Sequence, residues 1–375
     1  VPKASYFRAD ENRRELRSEN VAVRPASVSG KRGRLWLLAF SLVLFGVALW
    51  RAGPAAIVAQ LLRIGFGRAL WLLVPYALGT SLGAVPWAAL LPRSERPRPG
   101  GVLAGRFVAS SANALLPLFG LAGEPTRLLW LEPRARARGL AAIVVDRALY
   151  NCSNALLLLG GAVIAFVATE LSRSLSLIAA LAALVMLAVT LGVLFFVIRV
   201  GIGTRLQRWL RGAFGAVYAD GGFGEVVDAS LLELVRGKKS VLLSGFLTHV
   251  VARSLILAEV YVGFRLLREP FTLAEVVVLA VVPLGLSLVF SSIPSQIGVH
   301  EGGLALMAAA LGHPAALGVT LVLLQRFRQL VFAAFVPVLL RTAPADPGAA
   351  EPPTLRSLTP ARGSPPRPSP YRHTS

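Results

Sequence analysis

The chain is organised by long apolar runs separated by short basic segments. Leu35 to Trp50 is the first run, with Trp36 and Trp50 near its two ends, as interfacial tryptophans stand. It is short against the roughly 20 residues a membrane span needs, so neighbouring residues must extend it. Ala55–Leu62 is a brief amphipathic piece. Six further runs are long enough for full spans: 69–91, 140–169, 176–200, 241–266, 273–293 and 314–340. Pro86 lies inside the first of these and should kink it. Residues 101–119 and 294–311 are apolar but interrupted, and are read as incomplete spans. The predicted fold class is all-α: a polytopic transmembrane helix bundle with two broken, re-entrant segments. These belong to an internal repeat whose sense, parallel or inverted, the pattern leaves open.

Composition agrees with this pattern. Of 375 residues, 55% are hydrophobic and 15% charged, against about 25% charged in soluble domains. A soluble globular domain, a disordered chain and a nucleic-acid-binding module are thereby excluded. The net charge of +20 comes mainly from arginines between the apolar runs, where they set topology. Arg205, Arg208, Arg211, Arg236, Lys238 and Lys239 crowd the 205–240 loop. That loop and the N-terminus are therefore expected to be cytoplasmic, in a multi-pass protein of the inner (plasma) membrane. A basic amphipathic helix around Trp209 and Leu210 should lie on anionic head groups. Residues 1–34 read as a disordered basic tail, too long for the n-region of a cleavable signal. Residues 341–375 read as a disordered Pro-rich tail, which leaves 35–340 as the membrane domain. Cys152 is the one cysteine, so neither an intrachain disulfide nor a thiolate metal cluster is available.

One repeat rises above hydropathy. Residues 117–124 read Pro, six residues, Glu; residues 294–301 read the same, offset by 177. Serines 110 and 111 precede the first copy, and serines 291 and 292 the second. Pro117, Pro294 and Gly298 free backbone groups that hydrocarbon cannot satisfy, so such breaks belong inside protein or beside water. Paired breaks in the two halves of a chain mark transporter binding sites. The plain alternative is a pair of extramembrane turns, each with a Glu at the start of a helix.

Charges within the spans carry the candidate chemistry. Arg326 and Arg328 stand near the middle of the 314–340 run, too deep to snorkel, and each costs roughly 2.5–3.5 kcal/mol at a bilayer centre unless sheltered. Arg253 sits midway along its span with His249 one turn away. Asp146 and Arg147 begin a polar stripe continued by Asn151 and Asn154. Guanidinium suits phosphate because its planar donors grip two oxygens at once. The competing reading is internal pairing, in which Asp146, Glu124, Glu259 and Glu301 neutralise the arginines and tie helices together. Both can hold, since a salt bridge can open for a substrate. His249, His300, Glu301 and His313 fit no metal-ligand spacing, and no Ser-His-Asp order, Walker loop or dinucleotide fingerprint occurs. No metal and no cofactor is assigned.

The two repeated motifs, with the late intramembrane arginine, resemble the flippase-like integral membrane family related to the transmembrane region of lysylphosphatidylglycerol synthases. Its first motif stands here as Pro117, Gly123, Glu124 and Arg127. Its second stands as Pro294, Gly298 and Glu301, with His300 where an Arg is usual and without a double Gly. Arg326 matches the last-span arginine, and Asp146-Arg147 the acidic-Arg pair of a middle span. The resemblance covers about 35–340. It implies movement of a phospholipid, glycolipid or polyprenyl-phosphate lipid between leaflets, with membrane lipids, and lipid-synthesis enzymes, as partners and no nucleic acid. It extends to the flippase-like part and not to the synthase's aminoacyl transfer. The expected site is Arg326 with Arg328, Arg253 and Arg147 on the phosphate. Glu124, Arg127, Glu301, His300, Pro117, Pro294 and Gly298 complete it, the two breaks meeting near mid-membrane to line a cavity, and Glu124 and Glu301 either hold those arginines or order the broken backbone. A lipid head-group transferase using Asp146, Glu124 or Glu301 as a base, and a non-catalytic scaffold of an envelope-synthesis complex, are the rival readings.

Overall fold

The structure is a computed structural model that describes residues 53–115, 123–169, 173–201, 223–237, 239–290 and 296–344, with positions 46, 47, 50, 51, 171, 203 and 293. The Leu35–Trp50 run, Pro117, Pro294, the basic helix around Trp209 and both tails lie wholly or largely outside these residues. Every regular element among the described residues is helical. They are α1 (Pro54–Ile64), α2 (Phe66–Leu90), α3 (Pro99–Leu115), α4 (Arg136–Ala168), α5 (Arg173–Val200), α6 (Phe223–Gly237), α7 (Lys239–Leu267), α8 (Leu273–Val289), α9 (Val299–Ala310), α10 (Ala315–Ala334) and α11 (Val336–Leu340), with a 3-10 segment at Glu124–Trp130.

Five of these segments are long and apolar enough to cross a membrane: Phe66–Leu90, Pro133–Ala168, Arg173–Val200, Lys239–Leu267 and Ala315–Leu340. The sixth expected span is shorter than the apolar pattern suggested. α8 has 17 residues and stops at Val289, because the backbone turns at Phe290 although the apolar pattern continues. Its start is sharp. Thr272 and Glu275 form a reciprocal capping box, Glu275 N donating to Thr272 Oγ1 at 3.2 Å and Thr272 N to Glu275 Oε2 at 2.7 Å, which satisfies two amides a helix start leaves open. The kink expected in α2 is present as a turn at Gly83 and Ala84, ahead of Pro86. Proline there supplies no amide and crowds the preceding turn.

The bundle has an outer and an inner part. α5 exposes Leu177, Ile178, Leu181 and Phe195, each more than 60% accessible, and rests chiefly on α4. Such an apolar outer face is the surface expected against lipid. α7 packs against α2, α4, α8 and α10. Its buried face runs Gly245, His249, Ala252, Glu259, Val260, Gly263. That spacing is helical, yet the face holds two polar side chains among apolar ones, so α7 brings polarity to the interior.

α9 and α10 meet with almost no space between backbones. A Cβ on Gly318 would lie 2.2 Å from the carbonyl oxygen of Leu304. Gly318→Leu is expected to push these helices apart, with the loss of about 1–3 kcal/mol that overpacking brings. Thermal unfolding in detergent measures it, and an unshifted midpoint would show that the helices separate freely.

Candidate functional site

The site begins with a buried carboxylate. Glu124 opens the 3-10 segment, and this segment presses directly on α3: a Cβ on Gly123 would lie 2.1 Å from the Ala109 carbonyl oxygen. Only glycine permits that approach, which gives the Gly-Glu pair of the first motif its physical reason. Asn113 of α3 clamps the junction from both ends of its amide. Its Nδ2 donates to Glu124 Oε1 at 3.0 Å, and its Oδ1 accepts from Gly123 N at 2.7 Å.

Arg127 then ties this segment to the bundle. Its Nη1 donates to Glu124 Oε2 at 3.0 Å and to Asp146 Oδ2 at 2.8 Å. The guanidinium lies 4.5 Å from the Trp87 ring centroid, and the residue has no accessible surface. His249 Nε2 stands 2.9 Å from the other oxygen of Asp146. One chain of polar contacts thus links the 3-10 segment, α4 and α7. A charge so buried is tolerable only when paired and hydrogen-bonded on several sides.

Beside this chain lies a polar cavity of about 110 Å³. A water's share of liquid is about 30 Å³, so there is room for a group of a few heavy atoms. Arg106 from α3, Tyr150 from α4, His249, Arg253 and Glu259 from α7, Arg328 from α10 and Tyr76 from α2 line it. Three guanidiniums therefore face one carboxylate. Tyr150 organises the first two: its ring centroid is 5.6 Å from the Arg106 guanidinium carbon, 5.1 Å from that of Arg253, and 4.7 Å from that of Arg147. An aromatic face attracts cations and holds their planes against it. Arg253 Nε donates to Asn154 Oδ1 at 2.7 Å. Arg328 stacks 4.0 Å from the Tyr76 centroid and forms an ion pair with Glu259. The Tyr76 hydroxyl meets Ser110 Oγ at 2.9 Å.

A second cluster lies on the other side of α10. Glu301, fully buried, accepts from Gly298 N at 2.7 Å through Oε2 and from Arg326 Nε at 3.0 Å through Oε1. His300 Nε2 stands 3.2 Å from Ser287 Oγ, which also meets Gln296 Oε1 at 2.8 Å. Arg326 and Arg328 are two residues apart, about 200° around a helix. One therefore faces Glu301 and α9, and the other Glu259, α7 and the cavity.

The residues singled out in the sequence are thus divided. Arg253 and Arg328 line the cavity. Arg147 and Glu124 stand at its edge, where Arg147 Nη1 is 3.4 Å and Arg106 Nη1 3.9 Å from Glu124 Oε1. Arg127 is packed behind Asp146. Arg326, Glu301, His300 and Gly298 belong to the second cluster and are not among the cavity's lining. Arg106, Asn113, Tyr76, Trp87 and Tyr150 were not singled out. Arg106 and Asn113 carried a signal, being polar side chains in the interrupted 101–119 segment. The aromatics carried none, since their role depends on arginines distant in sequence.

The two kinds of ion pair should respond differently to mutation. Arg127→Gln leaves Glu124 and Asp146 buried together and is expected to lower stability by about 3–5 kcal/mol. Arg134→Gln removes the exposed pair with Glu132, worth about 0–1 kcal/mol. Chemical or thermal unfolding in detergent compares them; equal effects would contradict the buried network.

Neither a curated protein nor a solved structure matches the chain. The family model of the lysylphosphatidylglycerol synthase TM region matches residues 34–336, which include both motifs and every lining residue of the cavity. The chain is a multi-pass membrane protein and belongs to the lysylphosphatidylglycerol synthase transmembrane-region family.

Proposed function

We propose that the protein is a transporter that moves a phosphate-bearing lipid between leaflets of the inner membrane, with its N-terminus in the cytoplasm. The observation that carries this reading is the cavity in which Arg106, Arg253 and Arg328 converge from three helices. Three guanidiniums held together favour an anion between them. Their planar donors fit phosphate oxygens, and the surrounding helices are apolar enough to exclude a large soluble substrate. The phosphate occupies the cavity while the acyl chains stay in lipid. Family membership supports a lipid-related role.

The arginines are held by internal partners. Arg328 rests on Glu259, Arg253 on Asn154, and Arg106 near Glu124. The phosphate replaces part of these contacts. Exchange of one set of acceptors for another keeps each guanidinium satisfied along the path, which lowers the barrier a bare head group meets in hydrocarbon. Arg326 and Glu301 act by positioning, because they lock α9 to the helix that carries Arg328.

Arg253→Gln gives the cleanest test, since its hydrogen-bond partner Asn154 is neutral and no carboxylate is stranded. Loss of one charge-assisted contact, about 1.5–3 kcal/mol, should slow lipid movement about ten- to hundredfold. The assay is reconstitution in vesicles with acyl-labelled phosphatidylglycerol and chemical quenching of the outer leaflet. Arg134→Gln serves as the control. Unchanged movement in the Arg253 variant would remove the cavity from the mechanism.

A further inference from the structure

Among the described residues four buried carboxylates pair with arginines, and three of them have both oxygens engaged. Asp146 uses one oxygen for Arg127 and the other for His249. Glu124 is held by Asn113, Arg127 and Arg147. Glu301 is held by Gly298 N and Arg326 on the far side of α10. Glu259 differs. It is 3% exposed, lines the cavity, and its ion-pair partner among the described residues is Arg328, which also lines the cavity.

That arrangement gives the cavity a resident anion on the guanidinium an incoming phosphate needs. As anions the two compete for one guanidinium and repel each other at close range. The groups facing Glu259 come from five helices. From its own helix these are His249 and Arg253, from α2 Tyr76, from α3 Arg106, from α4 Tyr150 and from α10 Arg328. Arg253 and Arg106 are engaged by Asn154 and Glu124. His249 is bound to Asp146, and the arginines do not release protons near neutral pH. Glu259 is the group on the cavity that loses its ion-pair partner when phosphate takes Arg328, so the exchange disturbs its charge most directly.

We propose that Glu259 is a proton-binding site and that the protein carries one proton with each anionic lipid. The proposal rests on the transport reading above. Phosphate displaces Glu259 from Arg328, and the carboxylate takes a proton from the water on the side where the cavity is open. On the opposite side the proton leaves, Glu259 regains Arg328, and the phosphate is expelled. Charge balances: a singly negative phosphodiester and one proton cross together as a neutral unit. By linkage, proton binding and phosphate binding promote each other equally.

The test uses the full chain in phosphatidylcholine vesicles, with acyl-labelled phosphatidylglycerol as probe and a pH difference of one unit, acid outside. A single coupled proton sets a steady inner-to-outer probe ratio of about ten. A trapped pH dye should report acidification in proportion to probe movement. Glu259→Gln keeps a hydrogen-bond acceptor for Arg328 but takes up no proton, and should bring the ratio to about one at the same gradient. A wild-type ratio of one, with probe still exchanging, overturns the coupling and leaves the transport reading standing. No exchange at all overturns both. A Glu259→Gln ratio equal to that of wild type places the proton elsewhere and also overturns the proposal. The wild-type ratio decides the matter even where the variant does not fold.

Discussion

The structure depends on keeping guanidinium groups paired inside a bundle of apolar helices. At least six arginines, Arg106, Arg127, Arg147, Arg253, Arg326 and Arg328, lie among helices with apolar outer faces. Each is met by a carboxylate, an amide or an aromatic ring from another segment. This requirement explains which helices touch. Arg127 draws the 3-10 segment onto α4, Arg328 draws α10 onto α7, and Arg326 draws α10 onto α9. Small residues make the approach possible where the backbone itself is the neighbour, as at Gly123 and Gly318.

The same requirement separates structure from chemistry within one set of residues. A guanidinium enclosed on every side, such as Arg127 between Glu124, Asp146 and Trp87, is a fastening. A guanidinium with one face on a cavity, such as Arg253 or Arg328, keeps donors for a visitor. The two readings weighed for the charges, internal pairing and phosphate binding, are therefore compatible: Arg127 serves pairing alone, while the proposed phosphate site draws on Arg328, which is paired with Glu259, and on Arg253. α10 carries one of each, two positions apart, so the fastening Arg326 fixes where Arg328 points.

Much of this was legible in the sequence, for identifiable reasons. Long apolar runs fix helices in a membrane chain because backbone groups have no alternative partner there. Hence α2, α4, α5 and α7, and α10 taken together with α11, begin and end within a few residues of the expected positions. The Glu124–Arg127 and Asp146–Arg147 motifs led to the buried network because charge within an apolar run must find charge. What was not legible is which partner each charge finds. Arg328 chose Glu259, 69 residues away, and not Glu301. Arg253 chose a neutral amide. Arg106 and Tyr150 joined the cavity through helix packing, which no local pattern encodes. The length of α8 was overestimated because hydropathy reports burial in lipid and says nothing of where the backbone turns.

The central claim is that a polar chamber, reachable from water and fitted to a phosphate, lies between membrane helices. It is tested most directly at Ser110, which lines that chamber beside Tyr76. In a Cys152→Ala background, Ser110→Cys supplies a single thiol for an anionic, membrane-impermeant sulfonate reagent in vesicles. The account predicts that the thiol is labelled and that phosphatidylglycerol slows the labelling where an uncharged diacylglycerol does not. A thiol that stays unreactive, or reacts at the same rate whichever lipid is present, would contradict it.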